Sequence, residues 1–187
     1  DATSGYWKNS TRYYLDEAGD EHHFAGGFRM DDAQWDDLRF PATTVRQGST
    51  LKPDFDTTDV GLLFPQNDPL EIAYIIGQMP HEWKLESEIK PHIHYIQDEV
   101  TVPVFKIDYR IYKSGDAPPA FTTLTTSGTP ALTYTSGSIA QIMSFPAIDM
   151  TGIDAVSAIV DVKLYRDDNV VSGDVLMKEF DFHYQKD

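Results

Sequence analysis

Three of the chain's six histidines fall in GQMPHEWKLESEIKPHIHYIQ, residues 77–97, and two of them are spaced His92-Ile93-His94. Residues two apart on a strand leave the same face, so both imidazoles can meet one metal ion. Glu99, five residues past His94, can add a carboxylate oxygen. The same rings have a purely structural use, because imidazoles on a sheet face or rim bond to neighbouring backbone or carboxylate groups. Both uses stay open on the sequence. His81 follows Met79-Pro80 at a turn. His183, the one later histidine, shares a strand pattern with Asp181 and Glu179 that reads as surface.

Other constellations point to turns and solvated faces. DFDTTD offers Asp54, Asp56 and Asp59, oxygen ligands of the kind calcium takes, but lacks the glycine and distal glutamate of a calcium-binding helical loop; it reads as an acidic turn. DDAQWDD reads as a solvated face. No Gly-x-Ser-x-Gly elbow, phosphate loop or dinucleotide fingerprint is present. The serines cluster with Thr and Gly in turns, away from histidines, and no carboxylate pair stands out from so many. The expectation is a protein that is not an enzyme and needs no cofactor.

His92-x-His94-x4-Glu99 resembles the first motif of the cupin family, β-barrel proteins whose His-x-His and downstream Glu hold a metal. The bracketing glycines of that motif are missing, since Ser87 and Lys106 do not stand in for them. No second motif with a Pro-x-Gly turn follows. A cupin-like metal-dependent enzyme using His92, His94 and Glu99 is therefore the alternative reading.

The elements that must position these residues are strands. The chain has 187 residues, 41% hydrophobic and 12% aromatic, enough for one domain with a substantial core. From about residue 60 the apolar period is two. VGLLFP, LEIAYIIGQ, EIKPHIHYIQ, VPVFKIDYRIYKSGD, AVSAIVDVKLY and DVLMKEFDFHYQ all read as strands. In the third-last of these Phe105, Ile107, Tyr109 and Ile111 share a face. In the last, Leu176, Phe180, Phe182 and Tyr184 share one face, opposite Glu179, Asp181 and His183. The Thr/Ser-rich stretch 119–145 adds two or three short strands. Seven to nine strands with regular turns predict an all-β chain, an antiparallel β-sandwich. The first fifty-five residues are Gly- and Asp-rich without sustained period and read as an extended N-terminal arm, with the sandwich over 56–187. Within the arm, DDAQWDDLRF has a weak helical or turn-like phase.

The arm's aromatics argue against simple disorder. Trp7, Tyr13, Tyr14, Phe24 and Trp35 are candidates for contacts with a neighbouring subunit; folding back onto the chain's own sandwich would bury them equally well. A formal net charge of −15 disfavours direct contact with nucleic acid, and the lack of a polybasic segment or of a spanning apolar run disfavours a membrane. With no cysteine, disulfides and thiolate metal sites are excluded. The opening DATSGYWKNS, lacking methionine and a signal-type apolar region, reads as a processed or partial chain.

Three stretches taken together carry a further resemblance: FPATTVRQGSTLKPDFD, the run GLLFPQNDPLEIAYIIGQMPHEWKLESEIKPHIHYIQ, and KEFDFHYQKD at the end. The most specific parts are Gln78-Met79-Pro80-His81, Trp83-Lys84 and Pro91-His92-Ile93-His94. This combination resembles a group of small structural proteins of tailed-bacteriophage virions. The resemblance implies a head-decoration or tail-appendage subunit with a jelly-roll-like sandwich, located in the phage particle. Its partners would be itself, as a homo-oligomer with a trimer favoured, and other virion proteins. A carbohydrate-binding appendage is a third reading, with Trp83 or exposed tyrosines facing sugars.

Overall fold

The computed structural model describes residues 5–8, 11–15, 21–23, 34–66, 71–97, 101–126, 139–167 and 173–186. The chain divides into two compact units, Asp1–Gln34 and Trp35–Asp187. In the first, β1 (Gly5–Lys8), β2 (Thr11–Leu15) and β3 (Glu21–His23) form a three-stranded antiparallel sheet in the order β1-β2-β3.

The second unit is an antiparallel β-sandwich. Its strands are β4 (Gln34–Pro41), β5 (Arg46–Gln47), β6 (Asp54–Asp56), β7 (Gly61–Phe64), β8 (Ile72–Gln78), β9 (Ile89–Gln97), β10 (Phe105–Tyr112), β11 (Thr122–Thr125), β12 (Ile139–Ser144), β13 (Ile159–Arg166) and β14 (Val175–Lys186). One sheet has five strands in the order β11-β10-β13-β8-β5; the other runs β12-β9-β14-β7-β6, with β4 also paired to β14. Among the described residues there is no helix, and so none long and apolar enough to cross a membrane.

Period two explains the layers. Ile89, Ile93 and Tyr95 of β9 and Phe180, Phe182 and Tyr184 of β14 face Phe105 and Ile107 of β10 and Val160, Val162 and Leu164 of β13, all buried. Alternation sends one set of side chains into the space between the sheets and the other set outward. Phe64 and Phe105 meet edge to face across that space, ring centroids 5.6 Å apart. On β8 the inward residues are Ala73 and Ile75, so Tyr74 and Ile76 point to solvent.

Two local readings of the sequence are corrected. The segment 34–41 is a strand, not a helical or turn-like piece. Its apparent phase came from Trp35 and Leu38 being three apart. Pairing with β14 overrides that weak signal, and Leu38 and Phe40 are the residues that pack on the core. Strands β4, β5 and β6 thus belong to the two sheets, although the sequence pattern places the arm as far as residue 55. Leu176 does not share a face with Phe180. A bulge between Met177 and Glu179 shifts the register of β14 against β9, and one extra residue flips the phase. Val175 and Met177 therefore point into the core, and Leu176 takes the opposite side with its partners Leu63 and Ile96.

Candidate functional site

The bulge also sets up the site. Beyond it, Glu179 pairs with His94, Asp181 with His92 and His183 with Lys90. The parity that turns Ile93, Phe180 and Phe182 inward turns His92, His94, Glu179, Asp181 and His183 out onto one face of the six-stranded sheet. β4, pairing β14 on its other side, adds Asp37 and Arg39.

Asp181 is the centre of this group. It is 1% exposed, and its two oxygens accept from two rings: His92 Nδ1 stands 3.2 Å from Oδ1, and His94 Nε2 stands 2.7 Å from Oδ2. The His183 ring lies against that of His92, centroids 4.0 Å apart. Its Nε2 is 2.9 Å from Asp37 Oδ1 and 3.7 Å from Asp181 Oδ1. Glu179 receives Arg39 as a fork, with Nε on one oxygen and Nη2 on the other at 3.1 Å. A bidentate pair fixes geometry well, but the 63% exposure of the Arg39 side chain keeps its contribution to stability small.

The electrostatics follow from burial and partners. Burial alone would push the Asp181 carboxyl up. Hydrogen bonds from His92 and His94, and the positive charge on those rings, outweigh it and hold the group at about 2. His94 moves the other way: its hydrogen bond to Asp181 raises it above the usual imidazole range against the opposing effect of burial. The group is an ionised carboxylate gripped by imidazoles, three charge-bearing strands wide.

Such a set can hold a metal as well as protons. Two triplets bring one donor atom from each residue within 4.8 Å of one another: His92, Asp181 and His183, and His94, Glu179 and Asp181. The pair His92 and His94 thus lies on a sheet face with its rings bonded to a carboxylate. Both rings point away from the sandwich core, and their companions come from β14 and β4. Asp181 and Glu179, the strand neighbours of His183, are corrected from ordinary surface residues to members of the group. Glu99 and Phe24 lie outside the described residues. Trp7 pairs in register with Arg12, Tyr13 with Tyr6 and Tyr14 with Gly5 in the small N-terminal sheet. Trp35 is exposed, with the Lys90 ammonium 4.3 Å from its ring centroid.

Three further expectations meet the structure here. Trp83 is fully buried, so it is a core residue and presents no face to a sugar. Ser157 does meet a histidine: its hydroxyl lies 2.7 Å from His81 Nε2 and accepts from Gln78 Nε2 at 3.0 Å, on a backbone with φ of 65°. Among the described residues no carboxylate orients the His81 ring, so the pair lacks the third member of a nucleophilic triad. Asp56 closes an acidic turn as expected, its Oδ1 accepting the backbone N–H groups of Thr58 and Asp59 at 2.7 and 3.0 Å.

Sequence reasoning found the His92/His94 half of the cluster and missed the half that completes it. The available signal was the alternation Glu179-Asp181-His183, three chemically competent side chains on one face of a strand. No family model, curated protein or solved structure matches the chain, and the chemistry of the site rests on its own geometry.

Proposed function

We propose that the chain is a non-enzymatic structural subunit of a bacteriophage particle, a capsid-decoration or tail/collar appendage protein that acts by oligomeric assembly, as a trimer. The observation that carries this reading is the exposed Ile76 beside an open strand edge, and the strand order is compatible with it. Numbering the described strands β7 to β14 from first to eighth, one sheet runs sixth, third, eighth, first and the other fifth, fourth, seventh, second. We read this as a jelly roll, the two-sheet arrangement that recurs in viral shells and also in lectins and cupins.

Strand order does not choose among those uses; the outer faces favour assembly. Ile76 is 72% exposed beside Tyr74 on β8, and Ile142 and Trp35 are exposed on the other sheet. Among the described residues β5 pairs only with Ala73 and Tyr74, so Ile75–Gln78 bonds on its β13 side alone. An open strand edge beside an apolar side chain is a surface that another chain can cover. Val60 adds to the pattern: a β-branched residue, exposed and held at φ of 51°, brings a folded monomer strain without compensating burial.

The test is sedimentation velocity of the full chain over a wide dilution range, with Ile76→Asp as the perturbing variant. The reading expects an oligomer that persists on dilution and shifts toward smaller species in the variant while the circular dichroism spectrum stays that of a sheet protein. A wild-type chain that sediments as a monomer at every concentration overturns it.

A further inference from the structure

We infer that the outer face of the six-stranded sheet holds one zinc-class divalent ion, bound by His92 Nδ1 on β9 and by Asp181 Oδ1 and His183 Nε2 on β14. The site is independent of assembly. It also differs from a cupin site, because its ligands sit on the solvent side of the sheet, and two of the three come from the last strand.

The donor spacing is the first argument. Zinc with bonds of 2.0–2.1 Å in tetrahedral geometry separates its ligand atoms by about 3.3 Å. Asp181 Oδ1 is 3.2 Å from His92 Nδ1 and 3.7 Å from His183 Nε2, and the three residues bring one donor atom each within 4.8 Å of one another. Backbone register produces this convergence: Asp181 faces His92 across the β9–β14 ladder, and His183 is the next residue on the same side of β14. Few torsions remain to be fixed on binding.

The supporting shell is the second argument. The other oxygen of Asp181 is held by His94 Nε2 at 2.7 Å, which orients the carboxylate. Asp37 Oδ1 lies 2.9 Å from His183 Nε2 and orients that ring; a water completes the fourth position of the proposed ion. One side of the cluster is buried, with Asp181 and His92 side chains 2% and 11% exposed; the other is open, with those of His183 and Asp37 at 40% and 44%. A pocket built this way has a rigid floor and an entry path.

The ligand types choose the ion. Two imidazoles with carboxylate suit zinc, cobalt, nickel or copper, whereas magnesium and calcium take oxygen shells. The ion replaces the protons that these rings now donate to the carboxylates, so binding releases protons.

The experiment uses the full chain stripped with a chelator and titrated with ZnCl2 at neutral pH by calorimetry. The expected result is one ion per chain and a raised melting temperature that equal MgCl2 does not produce. His183→Ala and His92→Ala each weaken affinity by about tenfold or more, and His81→Ala leaves it unchanged. His183 is exposed enough for its truncation to leave the fold intact, which the circular dichroism of the metal-free variant checks. Cobalt loaded in place of zinc gives the intense visible bands of a four-coordinate ion. No uptake at millimolar zinc, affinity unchanged in a folded His183→Ala, weak octahedral cobalt bands, or binding lost only on His22→Ala or His23→Ala overturns the assignment.

Discussion

Asp181 Oδ2 and His94 Nε2 meet at 2.7 Å although 87 residues separate them in the chain. The contact exists because the bulge in β14 brings the outward phase of its second half opposite the outward phase of β9. A buried carboxylate with two imidazole partners is costly to break on one side only.

Asp181→Asn therefore destabilises the metal-free protein by about 1.5–3 kcal/mol, the range for hydrogen bonds to charged groups. Urea denaturation checks the loss, and NMR titration of His94 checks its cause. Without the carboxylate, the His94 ring falls back toward the ordinary value of about 6.5.

The metal-free protein is most stable between about pH 4 and 6.5 with respect to this group. Asp181 is depressed to about 2 when folded. Its stabilisation is present above the unfolded value of about 3.9 and is lost as pH falls through the folded one. His94 is raised, so its contribution is complete below about 6.5 and is lost as pH rises through its folded value. Melting temperature against pH in the presence of chelator shows both limbs; His94→Gln flattens the alkaline limb and also weakens the acid one, because His94 is one of the two rings that hold Asp181 down.

Gly77 sits where a Cβ would lie 2.5 Å from Cζ of Phe40. That ring is itself packed against Phe180 and Phe182, centroids 6.5 and 6.2 Å away, and has little room to retreat. Gly77→Ala costs about 1–3 kcal/mol as overpacking, measured by thermal unfolding. Adding Phe40→Leu to Gly77→Ala relieves part of the penalty.

Tyr95 is fully buried, and among the described residues its hydroxyl has no hydrogen-bond partner; burial pushes its pKa up to about 12. Tyr95→Phe removes an unpaired polar group and keeps the ring. Chemical denaturation should show stability unchanged or raised by up to about 1 kcal/mol. Trp83→Ala, by contrast, empties a large core position and costs about 3–5 kcal/mol.

The sandwich was legible in the sequence because alternation is a local signal. Phe105, Ile107, Tyr109 and Ile111 turn toward the core side of the sheet, as their spacing says. Leu176 was not legible, because a bulge leaves no mark in a pattern of apolar residues. On β4 just two residues, Leu38 and Phe40, pack inward, too few to show a period. The candidate site was half legible. His92 and His94 announce themselves by spacing, whereas Asp181, His183, Asp37 and Arg39 join them through strand pairing, which composition and periodicity do not encode. Trp83 shows the converse: residue type suggested a binding platform, and packing made it core.

Whether the sandwich works as an assembled subunit is read out by native mass spectrometry of the full chain. A trimeric subunit gives a species at three times the 21.1 kDa chain mass that survives dilution. A spectrum holding only the single-chain mass at every concentration contradicts it.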